Sequence, residues 1–423
     1  MTNMFNFNFA FNGDITNWNV SKVVYFIKTF YLATAFNQNI GAWNVSKCTN
    51  FSFMFGNATA FNNNGSSAIN NWSINPTSSV IFDTMFYNAT AFNQPIGNWN
   101  VSKVTSMANM FVQASSFTQP LANWERVTPD ISTTGNVTNM SAMFQSTPYN
   151  SSINNWDVSK VTDFGYMFSG ATLFNQPLNS WTTSAMIVTA FMFSGASTFN
   201  QPLGNWNVSN LVITNSMFQN AILFNQPLAN WERSTLGNVS TMSKVIDINS
   251  MFNGATAFQQ YIGNWNLKSL GNGQLQFFMY TKTPTTFPSI YLDDIYSGWI
   301  QYKLPTTAAT LTNPLNFGTA KYTSAATQGR SLLTRPAALL SITNIDNNGS
   351  GLIRITATAH GLVTSNKAFI YDVTGTTEAN GLWTITYVSA NTFDLQGSTF
   401  TNAYVSGGSL RTGYGWTITD GGI

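Results

Sequence analysis

The residue types that most often carry catalysis or hold a metal are scarce in this chain of 423 residues. It contains one histidine, His360, and one cysteine, Cys48. A Cys-His or Ser-His-Asp arrangement and a zinc site all need more of these side chains. His360 is predicted to be a turn residue, and Cys48 stands where three similar segments carry a core valine. We therefore expect a protein that is not an enzyme and has no cofactor or metal.

The acidic residues offer two further candidates, both of which favour a structural interpretation. Glycoside hydrolysis needs two carboxylates flanking a cleft, but the adjacent pair Asp293 and Asp294 is predicted to cap a helix near Ile295. The segment that starts at Asp346 has the Asp-Asn-Asn-Gly order of a calcium loop. It lacks the alternating acidic positions and the closing glutamate of such loops, so we predict a hairpin turn.

The composition excludes several classes of partner. Charged residues make up 8% of the chain, and 17 basic against 15 acidic residues leave a net charge of +2. A nucleic-acid or anionic-membrane surface normally carries a large basic excess, so we expect neither partner. The sequence also has no run of 18 apolar residues and no basic, then apolar, leader at its amino end, which predicts neither a membrane span nor a secretory signal.

Internal repeats organise most of the chain. Segments that begin Phe-Asn-Gln recur, and a column of tryptophans follows them at Trp18, Trp43, Trp72, Trp99, Trp124, Trp156, Trp181, Trp206, Trp231 and Trp265. The tryptophans are 25 residues apart, or up to 34 where a repeat has an insertion. A period in this range is typical of solenoids related to leucine-rich repeats.

Each repeat contains two patterns of apolar residues. In residues 104–111, Val104, Met107, Met110 and Phe111 are spaced as on one face of a helix, which predicts a short helical turn. In residues 96–102, apolar and polar residues alternate around Trp99, which predicts a short strand. The Met, Phe and Trp columns are predicted to form a shared core.

Residues 92–111, Phe-Asn-Gln-Pro-Ile-Gly-Asn-Trp-Asn-Val-Ser-Lys-Val-Thr-Ser-Met-Ala-Asn-Met-Phe, resemble the BspA-type leucine-rich repeat. This repeat occurs in surface proteins and mycoplasma-type lipoproteins, and some phages and large viruses encode it. The resemblance implies a solenoid of about ten repeats over residues 1–287. Segments 291–299, 316–327 and 415–422 are similar to the carboxy-terminal cap of such repeats, which implies a cap at 288–340 and its final strand at 412–423.

Residues 341–411 are predicted to form a small all-β domain inserted in this cap. Alternating segments at 353–358, 369–373, 383–388 and 392–395 are separated by turns at Asn348-Gly349 and Asn380-Gly381. The stretch resembles a small β module of phage and viral tail or fibre proteins. The predicted fold class is an α/β solenoid, a right-handed leucine-rich-repeat-like stack of short strands and helical turns with this inserted domain.

The outward positions of the predicted strands form a candidate binding surface. Amide side chains offer a donor and an acceptor together, which suits sugar hydroxyls. They could equally bond one another along the sheet and only make it soluble. Two insertions that follow Trp-Glu-Arg add charged candidates, because insertions in such repeats often lie on the recognition face. The alternative is that these charged residues belong to solvated loops. The candidates are Asn98, Asn100, Asn123, Glu125, Arg126, Asn155, Asp157, Asn205, Asn207, Asn230, Glu232 and Arg233.

The amino end is a candidate assembly edge made of Met4, Phe5, Phe7 and Phe9. The first repeat starts without a polar cap, and such an end exposes apolar surface and unpaired strand edges. We predict that it docks on a partner chain or another copy. The alternative is that the phenylalanines fold back and cover the end.

Together these features predict a non-enzymatic surface or fibre protein of a virion that provides a rigid display and adhesion surface. Its expected partners are other virion proteins, further copies of itself, or a glycan or protein on a host surface. One alternative is a purely architectural capsid or fibre subunit that assembles through the amino end. Another is a cellular surface adhesin located outside the cell.

Overall fold

The structure is a computed structural model that describes residues 1–125, 133–235, 238–270, 278–300 and 315–423. The chain forms two compact units. The first unit comprises residues 1–227 and 251–258, and the second comprises residues 228–250 and 259–423. No helix in the described ranges is long and apolar enough to cross a lipid bilayer.

Strands dominate the regular structure. The first unit contains β1 (Val80–Ile81) and β2 (Val104–Ser106). The second unit contains β3 (Arg233–Thr235), β4 (Asn238–Ser240), α1 (Ser289–Gly298), β5 (Leu315–Asn316), α2 (Thr327–Thr334), β6 (Ala338–Ser341), β7 (Asn344–Asn347), β8 (Ile353–Thr356), β9 (Lys367–Thr374), β10 (Gly381–Ser389), β11 (Thr392–Leu395), β12 (Ser406–Gly413) and β13 (Ile418–Thr419). Short 3-10 helices occur at Asn63–Gly65, Ser67–Asn71, Ala122–Trp124, Ala229–Trp231, Ser324–Ala326 and Thr377–Ala379.

The repeats of the first unit stack on one another in parallel register. Alternate backbone N–H groups of one repeat donate to the next: Phe53 N to Asp83 O at 3.0 Å, and Phe55 N to Met85 O at 2.9 Å. Parallel bridges link successive repeats through Tyr25, Asn50, Ile81, Ser106, Asn139, Asp163, Val188 and Ile213. The backbone of each repeat is therefore satisfied largely by its neighbours, as in a β-ladder.

The predicted fold class is wrong, because the Met-Phe segments do not form helices. The described residues contain two α-helices, α1 and α2, and both lie after residue 288. In the segment at Met54-Phe55, Met54 N donates to Phe51 O at 3.0 Å, which closes one turn. Phe53 then has φ 58° and Asn57 φ 57°, in the left-handed region that ends a helix. The helix-like spacing of the apolar residues comes from these tight turns, and the regular structure is mostly β.

The predicted strand at residues 96–102 is also wrong. Two turns occupy this stretch, closed by Trp99 N to Ile96 O at 3.1 Å and Val104 N to Val101 O at 2.9 Å. The strand β2 begins only at Val104. Apolar and polar residues alternate here because the turns direct Trp99 and Val101 inward and leave Asn98 exposed.

The core of the first unit consists of stacked aromatic rings, and the predicted Met, Phe and Trp columns are confirmed as buried except at the first tryptophan, Trp18, which is 38% exposed. Phe86 lies with its ring centroid 5.5 Å from Phe55 in the preceding repeat and 5.6 Å from Phe111 in the next. Trp72 and Trp99 stack at 5.7 Å. Burying each large apolar side chain stabilises the fold by roughly 1.5–3 kcal/mol.

The second unit contains a seven-stranded sheet in the order β6-β12-β9-β10-β11-β8-β7, in which every neighbouring pair is antiparallel. Its core is mainly aliphatic, with Ile353, Ile355 and Ile385 fully buried. The predicted strands of residues 353–395 overlap β8 to β11. Separately, β5 pairs in parallel with β13 near the carboxyl end.

Candidate ligand-binding surface

A pocket of about 440 Å³ opens on the turns of the repeats that contain Trp72 and Trp99. Its polar lining is formed by Asn70, Asn71, Ser73, Asn98 and Asn100, with Pro76 beside them. Trp72 and Ile74 are buried beneath these side chains. The pocket thus offers amide and hydroxyl groups at its mouth above an apolar floor.

A two-residue extension of one turn creates this pocket. The paired bridge residues lie seven positions after Trp43 and Trp99, at Asn50 and Ser106, whereas Ile81 lies nine positions after Trp72. The buried Asn75 holds the longer turn, since its Oδ1 accepts the N–H groups of Thr77 at 2.9 Å and Ser78 at 3.0 Å. The opposite wall follows the 3-10 helix Ser67–Asn71, whose Asn70 accepts from Asn98 N at 2.9 Å.

Two of the twelve predicted surface residues, Asn98 and Asn100, line this pocket. The other candidates lie on turns of both units, and those in the described ranges do not line the pocket. Asn98, Asn123, Asn155, Asp157, Asn205 and Asn230 are exposed, and Asn100, Glu125, Asn207, Glu232 and Arg233 are half-buried. Arg126 lies outside the described residues.

The asparagine or aspartate that follows the tryptophan in these turns has a local structural role. Asn100 Oδ1 accepts from Ser102 N at 3.0 Å, and Asn207 Oδ1 accepts from Ser209 N at 3.0 Å. Asp157 makes the same bond to Ser159 N at 3.0 Å. Side-chain oxygens that accept a backbone N–H two residues later stabilise a turn. These oxygens therefore explain the recurring Asn-x-Ser pattern without any ligand.

The two glutamates after tryptophan tie long loops to the following repeat. Glu125 accepts hydrogen bonds from Thr134 and, at 3.0 Å, from Asp157 N. In the second unit, Glu232 accepts from Met242 N at 3.1 Å and Asn266 N at 3.1 Å. Both carboxylates thus satisfy backbone donors, which is a structural use of residues predicted to form a recognition loop.

The sequence prediction missed an internal ladder formed by the asparagine of Phe-Asn-Gln. Asn93 Oδ1 accepts from Thr118 N in the next repeat at 3.0 Å, and Asn175 Oδ1 accepts from Asn200 N at 2.9 Å. Tryptophans add a second ladder, in which Trp99 Nε1 donates to Ile69 O of the preceding repeat at 2.9 Å. The strict recurrence of Phe-Asn-Gln was the signal for this structural role.

The predicted assembly edge is divided between covered and exposed residues. Phe5 stacks on Phe11 at 3.7 Å and on Phe30 at 5.5 Å. Met4, Phe7 and Phe9 are 50%, 58% and 56% exposed, although Phe7 also contacts a tyrosine of the next repeat. Phe5 therefore packs against the first repeats, while Met4, Phe7 and Phe9 each stay about half exposed.

The rare reactive residues occupy structural positions. His360 is buried, with Nε2 donating to Ser389 O at 2.8 Å and Nδ1 accepting from Leu362 N at 3.0 Å. Burial raises the pKa of Cys48 to about 12. Asp293 and Asp294 lie in the middle of α1 and do not cap it. Their carboxylates accept from Thr323 N at 2.8 Å and Ile262 N at 3.0 Å.

The repeats match a known family. Residues 1–80, 66–133, 130–231 and 235–285 match the family described as Mycoplasma protein of unknown function, DUF285. No curated protein matches the chain. The matched segments cover more than half of the sequence and coincide with the tryptophan repeats.

Proposed function

We propose that this chain, which belongs to the DUF285 family, is a non-enzymatic surface protein whose stacked repeats present a rigid adhesion face for a glycan. The observation that carries the proposal is the polar pocket on the turns of the third and fourth repeats. Its volume of about 440 Å³ lies within the range of small-molecule sites, roughly 300–1,000 Å³. A pocket of this size accommodates one or two sugar rings.

The chemistry of the pocket supports a hydroxylated, uncharged ligand group. Asn71 and Ser73 are exposed at its mouth and carry both donors and acceptors. The Asn70 side chain is held because its Oδ1 accepts from Asn98 N at 2.9 Å, so part of the wall is preorganised. Rigid donors and acceptors reduce the entropy lost when a ligand binds.

The finer assignment is a BspA-type repeat protein on the surface of a virion. It is supported by the resemblance of the repeats to BspA-type units and of residues 341–411 to a viral tail module. Under this proposal the partners are other virion proteins and a glycan or protein on a host surface. A cellular adhesin located outside the cell is the alternative, and it would use the same pocket.

Binding to an immobilised panel of neutral oligosaccharides tests the pocket. The double variant N71A/S73A removes two exposed polar side chains and is expected to weaken binding about tenfold, since each lost hydrogen bond contributes about 0.5–1.5 kcal/mol. The matched variant N205A/N230A changes exposed amides outside the pocket and should bind as the unmodified protein does. Equal binding by both variants, or no binding to any oligosaccharide, contradicts the proposal.

The second candidate function is architectural, and the exposed apolar residues Met4, Phe7 and Phe9 favour it. Contiguous exposed apolar residues often mark a protein interface. The double variant F7S/F9S should convert an assembled form into a lighter one in light scattering. If the unmodified protein is a monomer at every concentration, this candidate is excluded.

A further inference from the structure

We propose that the first unit binds an acidic polysaccharide along a row of lysines that flanks the pocket. We call Lys22, Lys47, Lys103 and Lys160 the lysine row. The inference rests on the proposed function, because it uses the same pocket, and it extends that function by naming the charge of the ligand.

The register of the repeats places these lysines in one column. Each lies three residues before a residue of the parallel bridge series, namely Tyr25, Asn50, Ser106 and Asp163. Paired parallel strands are about 4.8 Å apart. Lys22 and Lys47 therefore lie on adjacent repeats, while Lys47 and Lys103 lie on repeats separated by about 10 Å. Lys22, Lys47 and Lys160 are exposed, and Lys103 is half-buried.

The five lysines and five carboxylates of the described first unit balance each other, so the positive potential of the lysine row is local and rests on the absence of ion pairs to its members among the described residues. The carboxylates of Asp14, Asp83 and Asp163 accept the backbone N–H groups of Thr16 at 3.0 Å, Ala108 at 3.1 Å and Gly165 at 2.8 Å. Glu125 and Asp157 likewise accept backbone donors, as described above. Within the described part of this unit no lysine forms an ion pair; the pairs Arg330–Asp420 and Arg354–Asp394 belong to the second unit.

The neutral pocket interrupts the row at one repeat. In the repeat of Trp72, Ser78 lies three residues before the bridge residue Ile81. The neighbouring repeats have Lys47 and Lys103 at this position. Its extended turn forms the pocket instead, so amide groups lie between two cations. At the far end Lys160 donates to Asn136 Oδ1 at 2.8 Å and shares its turn with Asp157, which weakens the positive potential there. The strongest part of the row is Lys22 to Lys103.

An acidic polysaccharide fits this alternation better than other polyanions. Its ring hydroxyls match the amides of the pocket, and its carboxylates, spaced along the chain, match Lys47 and Lys103. Single-stranded nucleic acid binds by stacking its bases on exposed aromatic rings. The tryptophans at this position, Trp72 and Trp99, are buried. The row also contains no arginine, the residue that typically reads bases and phosphates in two-point contacts.

The test is binding of the full-length protein to an oligogalacturonate and to its uncharged methyl ester. We expect the acidic oligomer to bind more tightly than the ester, and its affinity to fall about tenfold or more between about 50 and 200 mM salt. The variant K47Q/K103Q should weaken acidic binding about tenfold and leave ester binding unchanged. The variant K321Q/K367Q, which removes the same charge from the second unit, is the matched control.

Each outcome separates this inference from the proposed function. Ester binding that is lost in N71A/S73A, with no added affinity for the acidic oligomer, supports the pocket and overturns the lysine row. Equal losses of affinity for the acidic oligomer in K47Q/K103Q and K321Q/K367Q also overturn the row. Binding would then depend on the net charge of the protein and not on the position of the lysines. Tighter binding to a DNA duplex or to phosphatidylglycerol vesicles than to the oligogalacturonate overturns the choice of ligand. Failure of both oligomers to bind, while a neutral oligosaccharide of the panel binds the pocket, overturns the lysine row and leaves the proposed function standing.

Discussion

The stacked repeats of the first unit and the seven-stranded sheet of the second unit are stabilised by different side chains. The repeats bury aromatic columns, such as Phe55, Phe86 and Phe111, and satisfy their edges with asparagine and tryptophan ladders. The sheet buries aliphatic residues such as Ile355 and carries the ion pair Arg354–Asp394 at 2.6 Å. The repeated sequence of the first unit therefore makes the same contacts in successive repeats. The sheet is instead stabilised by individual contacts that are not repeated, such as the pair Arg354–Asp394.

This difference explains how the first unit folds with few charged residues. Every repeat offers the next one the same rings and the same amides, so one successful contact is multiplied along the stack. The lysines are left free of ion pairs within the described part of this unit and can face a ligand. A surface that contributes little to stability is available for binding.

The largest expected effect is on the aromatic column. Phe86→Ala removes stacking with Phe55, Phe92 and Phe111 and should destabilise the first unit by about 3–5 kcal/mol. Hydrogen exchange measured by mass spectrometry should show faster exchange over residues 51–117, with residues 338–413 unchanged. Phe9→Ala, at an exposed position, should change neither region. Equal loss of protection in the sheet would contradict the separation of the two regions.

The next effect concerns the asparagine ladder. Asn93→Ala leaves Thr118 N and Gln119 Nε2 without the oxygen that now accepts from them at 3.0 Å and 3.2 Å. Thr118 is exposed, so water can replace the lost acceptor, and the free energy of unfolding should fall by about 0.5–1.5 kcal/mol. Urea denaturation measures this change. As the control, Asn71→Ala removes an exposed amide and should change the free energy of unfolding by less than about 0.5 kcal/mol. Similar losses of stability in both variants would contradict a structural role for the asparagine ladder.

A smaller, pH-dependent effect is expected in the sheet. The hydrogen bond from Arg354 holds the pKa of Asp394 below its usual value of 3.8, although partial burial opposes this. The carboxylate therefore stabilises the fold above the unfolded pKa, and this contribution is lost as the pH falls through the lower folded pKa. Because Arg354 is partly exposed, Asp394→Asn should cost about 1 kcal/mol or less at pH 7.

The measurement for Asp394→Asn is urea denaturation at several pH values. The difference from the unmodified protein should shrink as the pH falls from the unfolded pKa through the lower folded pKa of Asp394, because the protonated acid is neutral like the amide. Asp372→Asn changes an exposed carboxylate on β9 of the same sheet and serves as the control. A difference that stays constant with pH would show that the ion pair does not contribute.

A further small effect is expected at Cys48. Burial raises the pKa of this thiol to about 12, so the thiolate that reacts with disulfide reagents is scarce at pH 8. Labelling should require unfolding, and a rapid reaction of the folded protein would contradict the burial. Cys48→Val restores the residue of Val23, Val104 and Val161 and should change stability by less than about 1.5 kcal/mol.

The core of the repeats could be predicted, but their backbone could not. The spacing of Trp99, Met110 and Phe111 identified side chains that are fully buried. The same spacing suggested a helix, because left-handed residues such as Phe53 and Asn109 place side chains on one face much as a helical turn does. Phenylalanine rarely adopts a positive φ, so its conformation could not be deduced from its type.

The candidate site was predicted only in part. Asn98 and Asn100 were identified as outward residues, and both line the pocket. Asn71 and Ser73 were missed, because the two-residue extension after Trp72 was treated as an ordinary variation in repeat length. The hydrogen bond from Thr77 N to Asn75 Oδ1 that shapes the extension is local, whereas the wall opposite it comes from the neighbouring repeat.

The sequence by itself determined the period, the buried columns and the shortage of catalytic residues, because residue type and spacing are enough to decide which side chains leave water. Only the tertiary structure decided which segments pair between repeats, since backbone N–H groups at every second position are satisfied by the next repeat. It also decided where the pocket opens. An insertion becomes a cavity only where neighbouring turns do not fill the space beside it, and that depends on contacts between residues distant in the chain.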